Sequence, residues 1–248
     1  MNPVLILSHN TLALTKRCVE SCLAQDCGDI VISLIDNDSK DSTWEWAKTI
    51  PNPRILTQFS PQIGVSAGWN VGLRNLFEDE DEEHVLVVNS DVILPPFFYR
   101  HLLAQHAAFV TGTSVGSMDE IATEPGAIML TEAPDLSGFL ISKEAWERIG
   151  PFDESLVHYC GDTDYHLRAW RQGIHLHRAN VNFYHERSST LRLASPRDRR
   201  LIELQADADR ETFLRKWGFP TWSPEYAKAF SPETFGIDRS EVKEIQGA

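Results

Sequence analysis

The chain has 248 residues, of which 42% are hydrophobic and 24% charged, which is the composition of an ordinary globular protein. Acidic residues outnumber basic ones 36 to 23, and the net charge of −13 argues against a protein that binds nucleic acid through its phosphates. No apolar run reaches the roughly 20 residues of a membrane span. The N-terminus also shows no basic segment with a cleavage site, so we expect a cytoplasmic protein.

The N-terminal part of the chain alternates between strand and helix patterns. Apolar runs that end in polar residues predict strands, and apolar residues three or four positions apart predict helices. The predicted strands cover residues 4–7, 30–35, 54–56 and 85–88, and the predicted helices cover 12–24, 43–48 and 62–76. Thr11 is placed to be the N-cap of the first helix. This alternation predicts a parallel sheet with right-handed crossovers.

The rest of the chain is less regular. Residues 111–134 are rich in Gly, Thr, Ser and Glu, and we predict loops with one short strand there. Further helices are predicted at 97–107, 142–150, 162–172 and 195–217, and further strands at 135–141 and 181–184. We therefore expect a mostly parallel α/β domain over residues 1–192, flanked by helices. Residues 193–248 are expected to form a helical or irregular extension packed on it.

A polar tripeptide follows the fourth predicted strand. Side chains alternate along an extended chain, so Asn89 and Asp91 project to the same side, with Ser90 between them. An amide oxygen and a carboxylate together suit Mg²⁺ or Mn²⁺. Such tripeptides also form ordinary turns, and taken alone the stretch favours a turn.

Other predicted strands end in polar residues too. Asn10 follows the first strand and Asp36 ends the second, and ligands of open α/β sheets bind at this edge. A third segment carries glycines four residues apart, at positions 64, 68 and 72, which allows close helix packing. Packing explains the glycines but not Gln62 and Asn70 among them.

The C-terminal half contributes two acidic residues and a histidine. Asp162 and Asp164 begin a predicted helix, where the dipole stabilises carboxylates, so simple capping is one interpretation. As bases, they would be weakened by the dipole and strengthened by a neighbouring carboxylate, and the sequence leaves that balance open. His185 ends the last predicted strand. A lone histidine is more often structural, but imidazole is also a good metal ligand.

Taken together, these segments resemble the family 2 glycosyltransferases, which have the GT-A fold, and within them the rhamnosyltransferase-like branch. The resemblance runs from about residue 4 to 189. The matching segments, in order, are His9-Asn10, Asp36 to Asp41, Gln62 to Gly72, Asn89-Ser90-Asp91, Gly150 to Glu154, Gly161 to Asp164, and His185 with Ser188 or Ser189. Gln62 replaces an Asn of the family pattern, and Gly161 replaces a Glu beside the presumed base.

The resemblance implies a role for each of these positions. Asp91 would bind a divalent metal, Mn²⁺ or Mg²⁺, with Asn89 and His185 as further ligands. Asp162 would be the general base, with Asp164 as a second catalytic candidate. The positions implied on the nucleotide side are Asn10, Asp36, Asn37, Gln62, Gly64, Asn70, Ser90 and Arg187. The implied reaction is an inverting transfer of a hexose from a nucleoside-diphosphate sugar to a hydroxyl of a glycan or glycolipid.

Two other classes of function stay open from the sequence. A nucleotidyltransferase of the same fold would carry a Gly-rich basic loop after the first strand, and residues 8–11 are not such a loop. A catalytically silent binding module is favoured only by Gly161. The sequence does not decide whether the charged helix at 195–217 covers the acceptor cleft or joins two copies in a homodimer.

Overall fold

A single twisted sheet dominates the structure, which is a computed structural model that describes residues 1–51, 53–124, 126, 128–130, 135–187 and 189–230. Its strands within those residues are β1 (Asn2–Ser8), β2 (Ile30–Asn37), β3 (Ile55–Phe59), β4 (His84–Asn89), β5 (Val92–Ile93), β6 (Phe109–Val115), β7 (Ile128–Leu130), β8 (Gly138–Ser142) and β9 (His177–His185). The strand order is β3-β2-β1-β4-β8-β6-β9-β5, and β7 pairs with β9. Strands β1 to β4 are mutually parallel, whereas β8 runs antiparallel to β4 and β6.

Helices cover both faces of this sheet. They are α1 (Leu12–Leu23), α2 (Thr43–Ala47), α3 (Val65–Arg74), α4 (Phe98–Leu103), α5 (Lys143–Ile149), α6 (Gly161–Arg171), α7 (Ser189–Leu193), α8 (Pro196–Trp217) and α9 (Pro224–Lys228). The expected fold class, a mixed and mostly parallel sheet flanked by helices, is confirmed. No helix in the described residues is both long and apolar enough to cross a bilayer.

Two apolar layers result from the alternation of side chains along the central strands. Val4 and Ile6 of β1 face one side, where they join a core with α1 and α4. Leu5 faces the other side, where it joins a core with α3, α5 and α6. A third cluster lies beyond α6, where Phe213 of α8 and Tyr226 of α9 pack with apolar residues of α6.

Several element boundaries differ from the predicted ones. Strand β9 begins at His177 instead of residue 181, because buried and more exposed side chains already alternate along its polar first half. Strands β5 and β6 lie wholly or partly in stretches predicted as turn and loop. The helix predicted at 62–76 begins at Val65 and continues into a π-helical turn, Asn75–Asp79.

The helix caps agree with the sequence in one case and not in another. Ser142 stands at the start of the helix predicted at 142–150 and caps α5, since its Oγ accepts a hydrogen bond of 3.2 Å from the Ala145 amide. Thr11 stands at the N-cap position of α1 but makes no capping bond. The Asp41 carboxylate accepts a hydrogen bond from the Leu12 amide at 2.9 Å instead. The predicted position of the N-cap is therefore right, but the prediction that the Thr11 side chain caps the helix is wrong.

Candidate active site

The polar ends of five strands meet at one edge of the sheet. The register pairs Ser8 with Asp36, and Asp36 with Gln58, so the ends of β1, β2 and β3 are level. Leu7 pairs with Asn89, which brings the end of β4 beside β1. Strand β9 runs in the same direction as β4, since both β6 and β4 are antiparallel to β8 and β9 is parallel to β6. Its last residue, His185, therefore reaches the same edge.

Asp91 and His185 are in direct contact at this edge. Val92 pairs with His185 across β5 and β9, and His185 Nε2 lies 3.3 Å from Asp91 Oδ1. The second carboxylate oxygen of Asp91 accepts a 2.5 Å hydrogen bond from Ser189 Oγ. The Asn89 side chain lies nearby along the chain and makes no hydrogen bond to a described residue.

One carboxylate, one imidazole and one amide form a donor set that fits Mn²⁺ or Mg²⁺. Within the described residues, no group of three or more His, Cys, Asp or Glu side chains is arranged to hold a metal ion. Asp91 is the single charged side chain of the Asn89-Ser90-Asp91 motif. The remaining ligands of a bound ion would therefore come from elsewhere, and a diphosphate would supply oxygens of the right kind.

Ser90 lies beneath this edge in a cluster of hydroxyl groups. It is buried, and its Oγ lies 3.0 Å from Thr11 Oγ1. Thr11 Oγ1 is in turn 3.1 Å from Thr15 Oγ1, which is 2.8 Å from Ser8 Oγ. The hydroxyls connect β1, α1 and the Asn89-Ser90-Asp91 motif, which explains why Thr11 does not cap its helix. Ser90 thus positions the motif from below.

Asp36 presents an acceptor without a partner. Its side chain is fully buried, and Oδ2 accepts hydrogen bonds from Gln58 Nε2 at 2.8 Å and from the Ser39 amide at 3.3 Å. Oδ1 has no hydrogen-bond partner among the described residues. A buried carboxylate oxygen that lacks a donor is costly. An N–H group of a nucleotide base would satisfy it.

The two asparagines predicted near the nucleotide hold loops. Asn37 is buried, and its Oδ1 accepts from the Ile63 amide at 2.8 Å while Nδ2 donates to the Gly64 carbonyl at 3.3 Å. Asn10 Oδ1 accepts from the Lys40 amide at 2.6 Å. In these positions both side chains position the loops around Asp36 through contacts with backbone groups.

The glycine-containing segment, residues 62–72, packs against residues of the second half of the protein. Asn70 is fully buried, accepts from the Phe152 amide at 2.7 Å and donates to the Phe152 carbonyl at 2.9 Å. Gly64 has a φ of 85°, and a Cβ there would lie 2.6 Å from Val157 Cγ1, so only glycine fits. Gln62 is exposed. Asn70 and Gly64 therefore fix α3 against the segment that leads to Asp162.

Asp162 stands at the start of α6 with a free carboxylate oxygen. Its Oδ1 accepts a 2.8 Å hydrogen bond from the Thr163 amide, and no hydrogen bond to Oδ2 comes from a described residue. Burial raises the pKa of this carboxyl, and the charge of Asp135 raises it further, against the lowering effect of the Thr163 hydrogen bond. The net direction is a raised pKa, and burial contributes more to it than the neighbouring carboxylate does.

Asp164 has a different environment two residues further along. It is fully buried and accepts from Arg168 Nε at 2.9 Å, Lys216 Nζ at 2.7 Å and Trp217 Nε1 at 2.9 Å. Lys216 also contacts Asp153 at 2.5 Å. Every one of these donors belongs to α6 or α8, so the geometry supports a role for Asp164 in joining the two helices.

Gly161 has a steric reason to replace the family's Glu. A Cβ at this position would lie 2.9 Å from Ser66 Oγ, and that hydroxyl donates a 2.6 Å hydrogen bond to the Leu156 carbonyl. Helices α3 and α6 thus approach each other closely where the acidic side chain would otherwise stand. The glycine belongs to a packed contact next to Asp162.

Asp209 is an important residue that the sequence did not reveal. It is fully buried on α8 and accepts hydrogen bonds from three successive amides, those of Val157 at 3.0 Å, His158 at 2.9 Å and Tyr159 at 2.8 Å. Gln205 Nε2 adds a fourth at 2.8 Å. The segment that it holds precedes Asp162. An aspartate within a charged helix gives no sequence signal of such a role.

Arg187 lies at the surface near the end of β9. Its guanidinium donates to the carbonyl and the hydroxyl of Ser114, both at 3.1 Å. The neighbouring Arg192 pairs with Glu186. Arg187 thus follows His185 closely in the chain, but its guanidinium is bound to β6.

The Asp91–His185 pair and the buried Asp36 carboxylate thus lie at one edge of the sheet of an α/β fold. The chain belongs to glycosyl transferase family 2, because the model of that family matches residues 4–167. A search of curated proteins finds no significant match.

Solved glycosyltransferases share the fold at low identity. The chain matches S. aureus TarS 1-349 in complex with UDP-GlcNAc at 16% identity and a TM-score of 0.57, over 98% of this chain and 85% of that one. It matches the mannosyltransferase PcManGT from Pyrobaculum calidifontis, in complex with GDP-Man and Mn²⁺, at 16% identity and a TM-score of 0.59. That match covers 94% of this chain and 68% of the other. It matches GalNAc-T7 with UDP, GalNAc and Mn²⁺ at 15% identity and a TM-score of 0.64, over 99% of this chain and 54% of the other. The chain spans 50% of the longer TarS chain.

Proposed function

We propose that the protein is an inverting, metal-dependent glycosyltransferase that moves a hexose from a nucleoside-diphosphate sugar to an acceptor hydroxyl. The observation that carries this proposal is the meeting of the Asp91–His185 pair and the partnerless Asp36 oxygen at one sheet edge. Membership of glycosyl transferase family 2 supports it. The motif resemblance to the rhamnosyltransferase-like branch makes deoxyhexose donors the first to test.

The residues around Asp91 and Asp36 have a defined task in this proposal. Asp91 and His185, with Asn89 beside them, would hold Mn²⁺ or Mg²⁺. A bound ion would neutralise charge that develops on the leaving nucleoside diphosphate. Asp36 would accept a hydrogen bond from the nucleotide base, while Asn37 and Gln58 keep its loop and carboxylate in place.

Asp162 would carry out the proton transfer. The acceptor oxygen bonds to the anomeric carbon as the bond from that carbon to the diphosphate oxygen breaks, and the hydroxyl proton passes to the Asp162 carboxylate. One displacement on the face opposite the leaving group inverts the anomeric configuration. The raised pKa makes Asp162 a better proton acceptor than an exposed carboxylate would be.

Two competing interpretations are weaker in the structure. A nucleotidyltransferase needs a phosphate-binding basic loop after β1, whereas His9 contacts the last residue of β2 and Asn10 contacts the loop that follows it. A silent module was favoured only by the missing acid at Gly161, and the contact of that position with Ser66 accounts for the glycine. We propose a glycan or glycolipid as acceptor, because the acidic chain disfavours an extended nucleic acid.

The decisive experiment incubates the purified protein with a panel of nucleotide sugars, hydroxyl-bearing acceptors and Mn²⁺ or Mg²⁺. Mass spectrometry detects transfer or donor hydrolysis, and NMR reads the anomeric configuration of the product. Asp162→Asn is expected to lower transfer at least about a hundredfold while donor binding by calorimetry is kept. Asp91→Ala is expected to weaken the binding of the donor with metal.

A matched control is Asp29→Asn, because this aspartate is exposed and precedes β2, at the end of that strand opposite to Asp36. It should transfer sugar like the wild type. The proposal fails if no donor is consumed and Asp91→Ala binds nucleotides normally. Turnover by Asp162→Asn close to the wild-type rate would remove Asp162 from its role as base.

A further inference from the structure

One face of α8 is exposed and is not covered by any residue that the structure describes. Six residues define this outward face, because at 3.6 residues per turn they fall on one side of the helix: Arg197, Arg200, Leu201, Leu204, Ala208 and Glu211. Leu201 is 56% exposed and Leu204 is 52% exposed. The opposite face of the same helix carries the buried residues Ala206, Asp209 and Phe213.

The charges along the outward face are ordered. Arg197 and Arg200 precede the leucines, and neither forms an ion pair with a residue in the described parts of the chain. Glu211 follows the leucines, and its nearest cation is Arg215 at 3.8 Å. Asp207, at the edge of the face, is 73% exposed and contacts Arg210. The face is therefore basic at one end, apolar in the middle and acidic at the other.

We propose that this face binds the same face of a second copy of the chain, with the two α8 helices antiparallel and centred on Leu204. Arg197 lies seven residues before Leu204 and Glu211 lies seven residues after it, which is about two turns in each direction. In the antiparallel pair, each Arg197 therefore faces Glu211 of the other copy. The symmetry repeats every contact twice, as in an isologous dimer.

Other arrangements fit the face less well. A parallel pair would place Arg197 against Arg197 and Glu211 against Glu211, which is repulsive at both ends. An anionic lipid surface or a nucleic acid would attract the basic end, but it would repel Glu203, Asp207 and Glu211 further along. A second copy satisfies both ends at once.

The expected dimer is weak. A single pair of helices with two leucines from each copy forms an interface at the small end of specific complexes, so we expect a dissociation constant on the order of micromolar. The dimer contains two Arg197–Glu211 contacts, so reversing either charge in both copies replaces both attractive contacts with repulsive ones. Each reversal should weaken the dimer by about tenfold or more.

Analytical ultracentrifugation over a concentration series tests the proposal, with circular dichroism to confirm that each variant is folded. The wild type should pass from monomer to dimer as its concentration rises. Arg197→Glu and Glu211→Arg should each stay monomeric at concentrations where the wild type is a dimer. An equimolar mixture of these two variants should form a heterodimer, and the double variant should recover the homodimer.

A leucine pair provides the control. Leu204→Glu should abolish the dimer, whereas Leu23→Glu, at an exposed leucine on α1, should leave it intact. The proposal is overturned if the wild type remains monomeric at about 100 µM, a hundred times the expected constant. It is also overturned if the two charge variants do not pair with each other. A monomer that binds phosphatidylglycerol vesicles through this face would assign the face to lipid and refute the dimer.

Discussion

Replacement of Asp209 tests whether α8 holds the segment that precedes Asp162. The wild-type carboxylate accepts three backbone amides and the Gln205 side chain. Asp209→Ala removes all four acceptor contacts from a buried position. An unsatisfied buried donor costs about 1–3 kcal/mol, and some of these amides can reach water, so we expect a loss of roughly 3–5 kcal/mol.

Asp209→Asn keeps the shape of the side chain but removes one of its two acceptor oxygens. An asparagine whose oxygen faces His158 and Tyr159 keeps those two hydrogen bonds and loses the ones from Val157 and Gln205. We therefore expect about 2 kcal/mol of destabilisation for this variant. Because the segment leads to Asp162 and contacts the nucleotide side through Gly64 and Val65, kcat should fall by a larger factor than the affinity for nucleotide.

Urea denaturation followed by circular dichroism gives the free energies of unfolding, and calorimetry gives the affinity for nucleoside diphosphate. Asp207→Ala is the matched control two residues earlier, since its side chain is 73% exposed and its change should stay within about 0.5 kcal/mol. If Asp209→Ala unfolds like this control, the four contacts do not hold the segment. If the affinity for nucleotide falls by the same factor as kcat, the segment held by Asp209 does not act mainly on Asp162.

Three further predictions concern other contacts. Gly161→Glu should destabilise the protein by about 1–3 kcal/mol through the contact with Ser66, and Ser66→Gly in the same chain should recover part of the loss of melting temperature. Burial lowers the pKa of His166 from 6.5 to about 3, so its stabilising contribution is full above pH 6.5 and is lost as the pH falls towards 3. His166→Leu should reduce the acid slope of the unfolding free energy, at most about 1.4 kcal/mol per pH unit. Calorimetry should show weak Mn²⁺ binding to the free protein and tighter binding with nucleoside diphosphate; tight binding without nucleotide would contradict the single charged ligand, Asp91.

The sequence predicted the elements whose periodicity is simple. Strands β1, β2 and β4 and helices α1, α5 and α6 were found because their apolar residues recur at the interval of their structure. Strand β5 was missed because two residues after a turn carry no period. Strand β6 was largely missed because Thr, Gly and Ser lie where apolar residues would be expected, and its neighbours β8 and β9 supply the pairing.

The candidate site was predictable where chain direction alone brings residues together. Asp36, Asn89 and Asp91 follow parallel strands, so a shared edge was expected, and His185 joined them through β5. The roles of Asn37 and Asn70 could not be inferred, because their partners are backbone groups on distant segments. Asp209 was not predicted for the same reason, and Gln58 was not predicted because its partner is the Asp36 side chain on a neighbouring strand. The residue assignments to catalysis and nucleotide binding stay predictions for the experiments above.

The contact between Gly64 and Val157 has a consequence for protein engineering. The Val65 amide donates to the Val157 carbonyl at 2.7 Å, and the next residues from Val157 to Tyr159 are bound by Asp209. A library that varies residues 62–65 to change the accepted sugar nucleotide will therefore also shift the segment before Asp162. Variants selected for donor affinity alone should lose turnover unless positions 157–159 are varied in the same library.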